Sequence, residues 1–491
     1  MDKKDIKDKL LGLSESEIKD REKSFSDLLF YIGECEDSQA ACLDSNLLGQ
    51  SWLNIDDLDY IPSQVIDNKV KPLINKQARF MMGVAPNLQF KPFDKELRKE
   101  CEELKQFVDG ILKANRFWSN TLKAFKIATI TKRVLLRMEA NPDQPVRLYY
   151  HDISEFSYEL DSNDYNKLSK AIVVKIDNET QNESIENQIW YRYTYYMKGD
   201  NCWFKSETFI GNQLEKPIDI LDIDTKLSKI PCWLIANESD MVNKNGISDI
   251  KDLRPLQEQI NARTSDFADA LRFDMFTQTA IIDASEETTN KAKIAPNAML
   301  PLASLQGKNA EVKKIESTFQ NAEAVEKFLK RMDDSMHEKL DIPKPEQLKN
   351  VPSAKTLKYV YNELISRCSE KWNDWEPPIR AMIRLIINAC GKFNCYEDWD
   401  HEWDSLLFNI VLKKNYPIPE DEDDKKRLAM EEVRANVKSH KSYIRDFTDD
   451  EDPEGVLKEI AEDIITITAA EQDQFQKALN EELEDGNVGD E

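Results

Sequence analysis

The sequence predicts a helix-rich α+β protein built from more than one domain. Three observations carry this. Apolar residues recur at helical spacing in long stretches near 61–83, 94–114, 246–273, 320–340 and 354–375. Between the second and third of these lies a block of a different texture, rich in Tyr, Val, Ile and Trp and punctuated by turn residues, which reads as strands. Glycine is scarce, with 13 in 491 residues, which disfavours phosphate-cradling loops and dense tight turns.

Taken in order, residues 1–60 form an acidic N-terminal arm, in which Ser14 and Glu17 make a capping-box pattern for a helix reaching about Tyr31. Across 61–83, Val65, Ile66, Val70, Leu73, Ile74 and Phe80 predict one helix, kinked at Pro72 and ended by Gly83. The strand block comprises 144–160, 170–177, 188–197 and 201–210, with Lys198-Gly-Asp-Asn201 as a hairpin turn. Residues 61–245 therefore read as one α+β domain.

The stretch from Gly246 has Ser248 as a candidate N-cap. Ile250, Leu253, Ile260, Phe267 and Leu271 lie on one stripe of this helix, while Asp252, Glu258, Asp266 and Asp269 fall mostly elsewhere, so one face packs and the other meets water. Strand-like pieces at 277–283, 298–304 and 310–317 follow, and a helix at 320–340 returns, so the two helices are expected to run antiparallel around a small β module. A Pro-rich loop covers 343–354. A long helix begins near 354, with Pro377-Pro378 expected to break or bend it. Residues 379–391 read as a buried amphipathic helix, 406–414 as a strand, about 420–465 as three polar helical pieces, and 471–491 as an acidic tail.

No catalytic constellation emerges. P-loop, nucleophile-elbow and H-E-x-x-H patterns are absent. His337-Glu338 and His401-Glu402 each lack a second histidine one turn on, and read as surface or packing residues. Cys390 and Cys395 with His401 resemble half a zinc site, but buried thiols suit the spacing better. The Glu420–Asp424 acidic run lacks the glycine and terminal glutamate of a calcium loop, and suits a helix N-terminus. Trp372, Trp375, Trp399 and Trp403 read as core or subunit-interface anchors rather than a ligand pocket. No cofactor or metal is expected.

The formal net charge is -25, opposite to the basic face of a nucleic-acid reader. Such a chain either does not meet DNA or meets it without holding on. The N-terminus has no signal-peptide core and no segment has the length and apolarity of a membrane span. Eight scattered cysteines fit a reducing cytoplasm.

The order of these pieces resembles the portal proteins of tailed double-stranded DNA bacteriophages over about 60–465. NKVKPLINKQARFMMGVAP (68–86) is similar to an early portal helix ending in a Gly-x-x-Pro turn. KIPCWLIANESDMVNKNGISDIKDLRPLQEQIN (229–261) resembles the family's strand, Gly-x-Ser and long helix. VPSAKTLKYVYNELISRC (351–368) resembles the loop and helix that follow the second stem helix.

The resemblance implies a portal-like fold. Its parts would be a mixed α/β wing (61–245 with about 355–415), two stem helices (246–273 and 320–342) and a β-containing clip (274–319). A tunnel loop (343–354) and a helical crown (416–470) would complete it. It implies a ring, usually of twelve subunits, at one capsid vertex of the virion, assembled in the host bacterial cytoplasm. Through this ring double-stranded DNA is packaged and ejected. The implied partners are the large terminase, the major capsid and scaffolding proteins and a head–tail adaptor, with no membrane. On this reading Asp252, Glu258, Asp266 and Asp269 are lumen candidates. The stripe from Ile250 to Leu271 packs neighbouring subunits, and Lys344, Lys349 and Lys355 at the tunnel loop touch passing phosphates or remain solvated surface lysines. Two other readings stay open, a helical cytoplasmic scaffold without a channel and an enzyme with a non-local site.

Overall fold

The computed structural model describes residues 3–33, 62–162, 164, 167–275, 278–282, 304, 306–309, 311–315, 322–349, 354–418, 422–447, 455–469 and 472. These group into two compact units, 1–350 with 359–417, and 351–358 with 418–491. Helix and strand coexist in the first unit, giving the mixed α+β class the sequence predicts.

Helix α1 (Lys3–Leu11) and α2 (Glu15–Ile32) open the first unit. Ser14 caps α2 by accepting from the Glu17 amide, and Gly33 closes it with φ 90°. Ile6, Leu10 and Leu11 of α1 share one face and bury against Val174, Trp190 and Phe209 of the large sheet. Each such side chain contributes about 1.5–3 kcal/mol by leaving water. Arg21 of α2 donates to the backbone carbonyls of Ile153 and Phe156, at 2.7 Å for the latter.

Helix α3 covers Val70–Met82, shorter than the helix predicted over 61–83. Pro72 is thus in its first turn, where a missing N–H costs nothing, so it starts the helix instead of kinking it. Residues 62–69 are not helical because their amides are captured elsewhere, as described below.

Strand β1 (Asn87–Pro92), α4 (Arg98–Ala114) and α5 (Phe117–Thr131) follow. Next come β2 (Arg133–Glu139), β3 (Arg147–His151), β4 (Phe156–Leu160), β5 (Leu168–Ile176), β6 (Ile189–Lys198), β7 (Asn201–Ile210), β8 (Asp219–Asp224) and β9 (Cys232–Ala236). Strands β4 to β8 form a five-stranded antiparallel meander in sequence order. The expected hairpin is present, with Lys198 opposite Asn201 and Gly199 at φ 66°. A three-stranded antiparallel sheet has the order β3-β2-β9.

Helix α6 (Ile250–Met275) begins after Ser248, whose Oγ accepts from the Ile250 amide at 3.2 Å. Strands β10 (Gln278–Ile282) and β11 (Glu311–Ile315) pair antiparallel, and α7 (Ala322–Lys339) returns. The strand expected at 298–304 lies outside the described residues apart from Ser304. Helices α8 (Pro345–Leu348), α9 (Ala354–Val360) and α10 (Asn362–Phe393) follow.

Helix α10 runs through Pro377 and Pro378 without a break, so of the expected break or bend the break does not occur. Its apolar face holds it, with Trp375, Ile379, Met382, Ile383, Ile386 and Ala389 all fully buried. Packing of this extent outweighs a local cost of about 3 kcal/mol for a helical proline. Strand β12 (Phe408–Lys413) pairs with β1, a partner the sequence did not suggest.

The second unit contains α11 (Glu422–Arg434), α12 (His440–Phe447) and a helix over 455–469. Ala429 and Ile444 are buried, and Lys438 pairs with Asp446 at 2.8 Å. The side chains of 421–424 and the tail from 473 lie outside the described residues.

Candidate functional site

The element singled out by the sequence is the helix pair α6 and α7. Arg367 of α10 reaches Asp249, just before α6, at 3.5 Å and the Lys339 carbonyl at the end of α7 at 3.2 Å. Farther along, Ile260 and Thr264 of α6 share a cleft with Leu329, Lys330, Asp333 and Asp334 of α7. The start of one helix therefore lies by the end of the other, and the pair is antiparallel.

Residues 62–69 lie along α6 as a strap. The amides of Ser63, Val65, Asp67 and Lys69 donate to the side chains of Asp269, Ser265, Asn261 and Gln257, at 2.9–3.3 Å. Alternate amides of an extended chain point one way and advance about 6.6 Å per pair, while four helical residues rise about 6 Å. The two repeats nearly match, so each rung finds a partner one turn farther along. The Gln257 side chain also donates to the Asp67 carbonyl at 2.7 Å.

This placement corrects one lumen candidate. Asp269 is 8% exposed and accepts twice from the Ser63 amide at 3.0 Å, so it faces its own chain rather than water. Asp252 and Asp266 are exposed, and Asp266 pairs with Arg263 at 2.7 Å. Glu258 is half-buried, and burial raises its pKa against the opposing charge of Arg254. Of the stripe, Ile250, Leu253 and Ile260 are consumed by the chain's own core, Phe267 is half-buried, and Leu271 is 41% exposed. The stripe is thus mostly intramolecular.

Lys344 and Lys349 line the cleft of about 430 Å³ between the strap, α6, α7 and α8. Lys344 is bound by Glu338 at 2.8 Å and Asp334 at 3.7 Å, and Lys330 by Glu346 at 2.7 Å. The hydrogen bond from Lys344 holds the Glu338 carboxyl below its usual range. Lys355 lies in α9, and its side chain is outside the described residues.

A buried charge cluster, missed in the sequence, anchors the base of the pair. Asp249 and Lys371 are 0% and 1% exposed in their side chains. Lys371 Nζ donates to Asp249 at 2.9 and 3.0 Å and to the Asn237 carbonyl oxygen of the side chain at 2.7 Å. Burial alone would raise the Asp249 pKa, but Lys371 and Arg367 outweigh it and hold the carboxyl below the usual range. A signal existed, because Leu364, Cys368, Lys371 and Trp375 share helical spacing, placing a lysine on an apolar stripe.

Other candidates resolve simply. Cys390 and Cys395 are buried, Cys395 donating to the Asn141 and Ala389 carbonyls at 3.7 Å, and the neighbouring Cys395 sulfur together with burial pushes the Cys390 thiol up. Their neighbour in sequence His401 is exposed and pairs with Asp404 at 3.0 Å. No group of metal-ligating side chains occurs among the described residues. His337 is a packing residue whose ring meets the Ile342 carbonyl at 3.2 Å. Trp375 is core, while Trp399 and Trp403 pack with Phe107. No helix among the described residues is long and apolar enough to cross a membrane.

The geometry defines a mixed α+β protein organised around an antiparallel helix pair. The family model for phage portal proteins, SPP1 Gp6-like, matches residues 44–475. The chain belongs to that family and is a portal protein of a phage-like capsid. The family is structural rather than enzymatic. No curated protein matches the chain. Among solved structures, the virion of a native gene transfer agent particle matches at 11% identity and TM-score 0.43, covering 77% of this chain and 88% of that one. The neck of the native particle, computed with C12 symmetry, gives 10%, 0.42, 77% and 90%. The neck of the empty particle, computed with C6 symmetry, gives 12%, 0.44, 78% and 90%.

Proposed function

We propose that copies of this chain close into a ring, of twelve subunits on the family reading, at one vertex of the capsid. Double-stranded DNA is packaged and ejected through its centre. Residues 61–245 with 355–415 serve as the wing, 246–273 and 320–342 as stem staves, 274–319 as the clip, 343–354 as the tunnel loop and 416–470 as the crown. The ring docks the large terminase and later a head–tail adaptor, within a shell of major capsid and scaffolding proteins.

The observation that carries this reading is the charge pairing on the antiparallel helices. Arg254, Arg263, Lys327 and Lys330 each sit 2.7–2.9 Å from a carboxylate of Asp27, Asp266, Glu323 and Glu346 respectively. Cations held this way are neutralised against phosphate. Since phosphate contacts supply most non-specific affinity, a wall of paired charges lets a duplex slide. Exposed Asp252 adds repulsion, and Lys344 and Lys349 offer at most weak contact because of their surroundings.

Light scattering on a sizing column with negative-stain images tests the proposal. Particles near twelve chain masses with a central hole are expected. A compact dimer or tetramer without a channel would overturn it.

A further inference from the structure

The loop between β9 and α6 presents two of the most exposed apolar side chains of the described residues, Met241 at 95% and Val242 at 88%. It is not a loose loop. The Asp240 carboxylate accepts from the Val242 amide at 2.6 Å and from the Asn243 side chain at 2.9 Å. Ser239 donates to Asp374 of α10 at 3.0 Å, Glu238 pairs with Arg367 at 2.6 Å, and Tyr158 of β4 donates to Asn245 at 2.7 Å. The base is closed by the Ile247 amide on the Asn237 carbonyl at 2.8 Å. Two apolar side chains are thus held out in water by a pinned turn. Such a knob loses little freedom on docking, and methionine adapts to the surface it meets.

A groove of about 840 Å³ lies between α4, β3 and the segment around Tyr396. Its apolar lining includes Phe107, Ile111, Ala114, Val146 and Leu148, and its one charged lining residue is Arg147, which is exposed. The knob carries the opposite charge, Asp240, next to Met241.

The two features cannot meet within one chain. The knob leaves β9 after Ala236, which pairs with Arg133 at one end of β2. Arg147 begins β3 on the other side of β2 and pairs with Glu139 at its opposite end. The six steps from Arg133 to Glu139 along β2 span about 20 Å, and two strand spacings add about 10 Å across the sheet. Knob and groove occupy diagonal corners of the three-stranded sheet. This suits head-to-tail contact, in which each subunit offers two different complementary patches.

We infer that the Met241-Val242 knob of one subunit seats in the Phe107–Leu148 groove of a second copy, with Asp240 facing Arg147. This rests on the ring reading above. The test is a Val242→Cys, Ala114→Cys double variant, oxidised and run without reductant, beside both single variants. A ladder of covalent multimers only in the double variant is expected. In parallel, Met241→Asp with Val242→Asp should raise the protein concentration needed for rings about tenfold or more, as loss of an interface anchor does, with unchanged circular dichroism. Wild-type rings together with no ladder, and aspartate variants that assemble normally, would overturn the contact while leaving the ring intact. A wild-type chain that never forms rings would remove the ring reading, and the contact with it.

Discussion

Lys371 Nζ lies 2.9 Å from one carboxylate oxygen of Asp249 and 3.0 Å from the other, with both side chains withdrawn from water. A buried charge without its partner is costly, by about 3–5 kcal/mol. Lys371→Met is therefore expected to lower stability by about that amount, followed by tryptophan fluorescence in urea at fixed protein concentration. Adding Asp249→Asn should recover part of the loss, because the carboxylate left with Arg367 alone, at 3.5 Å, goes too. A Lys371→Met protein within 1 kcal/mol of wild type would contradict this reading.

The strap on α6 gives a local readout. Asp269→Ala removes the charged acceptor of the Ser63 amide, an interaction of about 1.5–3 kcal/mol. Hydrogen exchange at Ser63 and Val65 should quicken about tenfold or more, whereas Asp269→Asn, which keeps an acceptor, should show a smaller effect. Unchanged exchange in the alanine variant would mean that the rung adds nothing.

His151 makes the fold sensitive to acid. Its ring is buried, accepts from Arg137 Nε at 3.2 Å and meets Glu155 at 2.8 Å. Burial lowers its pKa, with the charges of Arg137 and Lys175 adding to the effect and Glu155 opposing it. A histidine depressed in the folded state binds fewer protons there than in the unfolded chain. Its contribution is present above the unfolded value near 6.5 and is lost as pH falls toward and through the folded value. The urea midpoint should decline below about pH 6.5, and His151→Gln should flatten that part of the profile. Identical profiles for the two proteins would count against the assignment.

Gly246 sits at φ 84°, and a Cβ there would lie 2.5 Å from the Lys132 carbonyl oxygen and 2.8 Å from that of Asn237. Gly246→Ala combines a left-handed backbone with backbone overlap, so a loss of about 2 kcal/mol or more is expected. Gly199→Ala, also at positive φ but with open space around it, should cost less. Thermal unfolding of the two variants side by side checks the order.

What the sequence disclosed follows from which forces are local. Helical spacing in α6, α7 and α10 and the hairpin at Gly199 are written within one turn or one loop, and they were legible. The β1–β12 pairing joins residues more than three hundred positions apart, and no local pattern encodes it. The prolines of α10 misled because their cost is local while the packing that overrides it is not. Asp269 misled for a related reason. Its spacing relative to the apolar stripe places it on a polar ridge with Gln257, Asn261 and Ser265, but only the folded chain reveals that this ridge is covered by residues 62–69. The same applies to Lys371, whose position on an apolar stripe was visible while its partner Asp249 was not.

The ladder of four rungs has a mechanical consequence for α6. Successive acceptors four residues apart are offset by about 40° around the helix, so the strap winds through roughly 120° between Gln257 and Asp269. A helix wrapped in this way resists torsion. Rolling about its own axis would break all four rungs together, whereas helix and strap can tilt as one body. If α6 lines the proposed channel, its movement would then be a rigid lean, with the same side chains kept toward the same neighbours throughout.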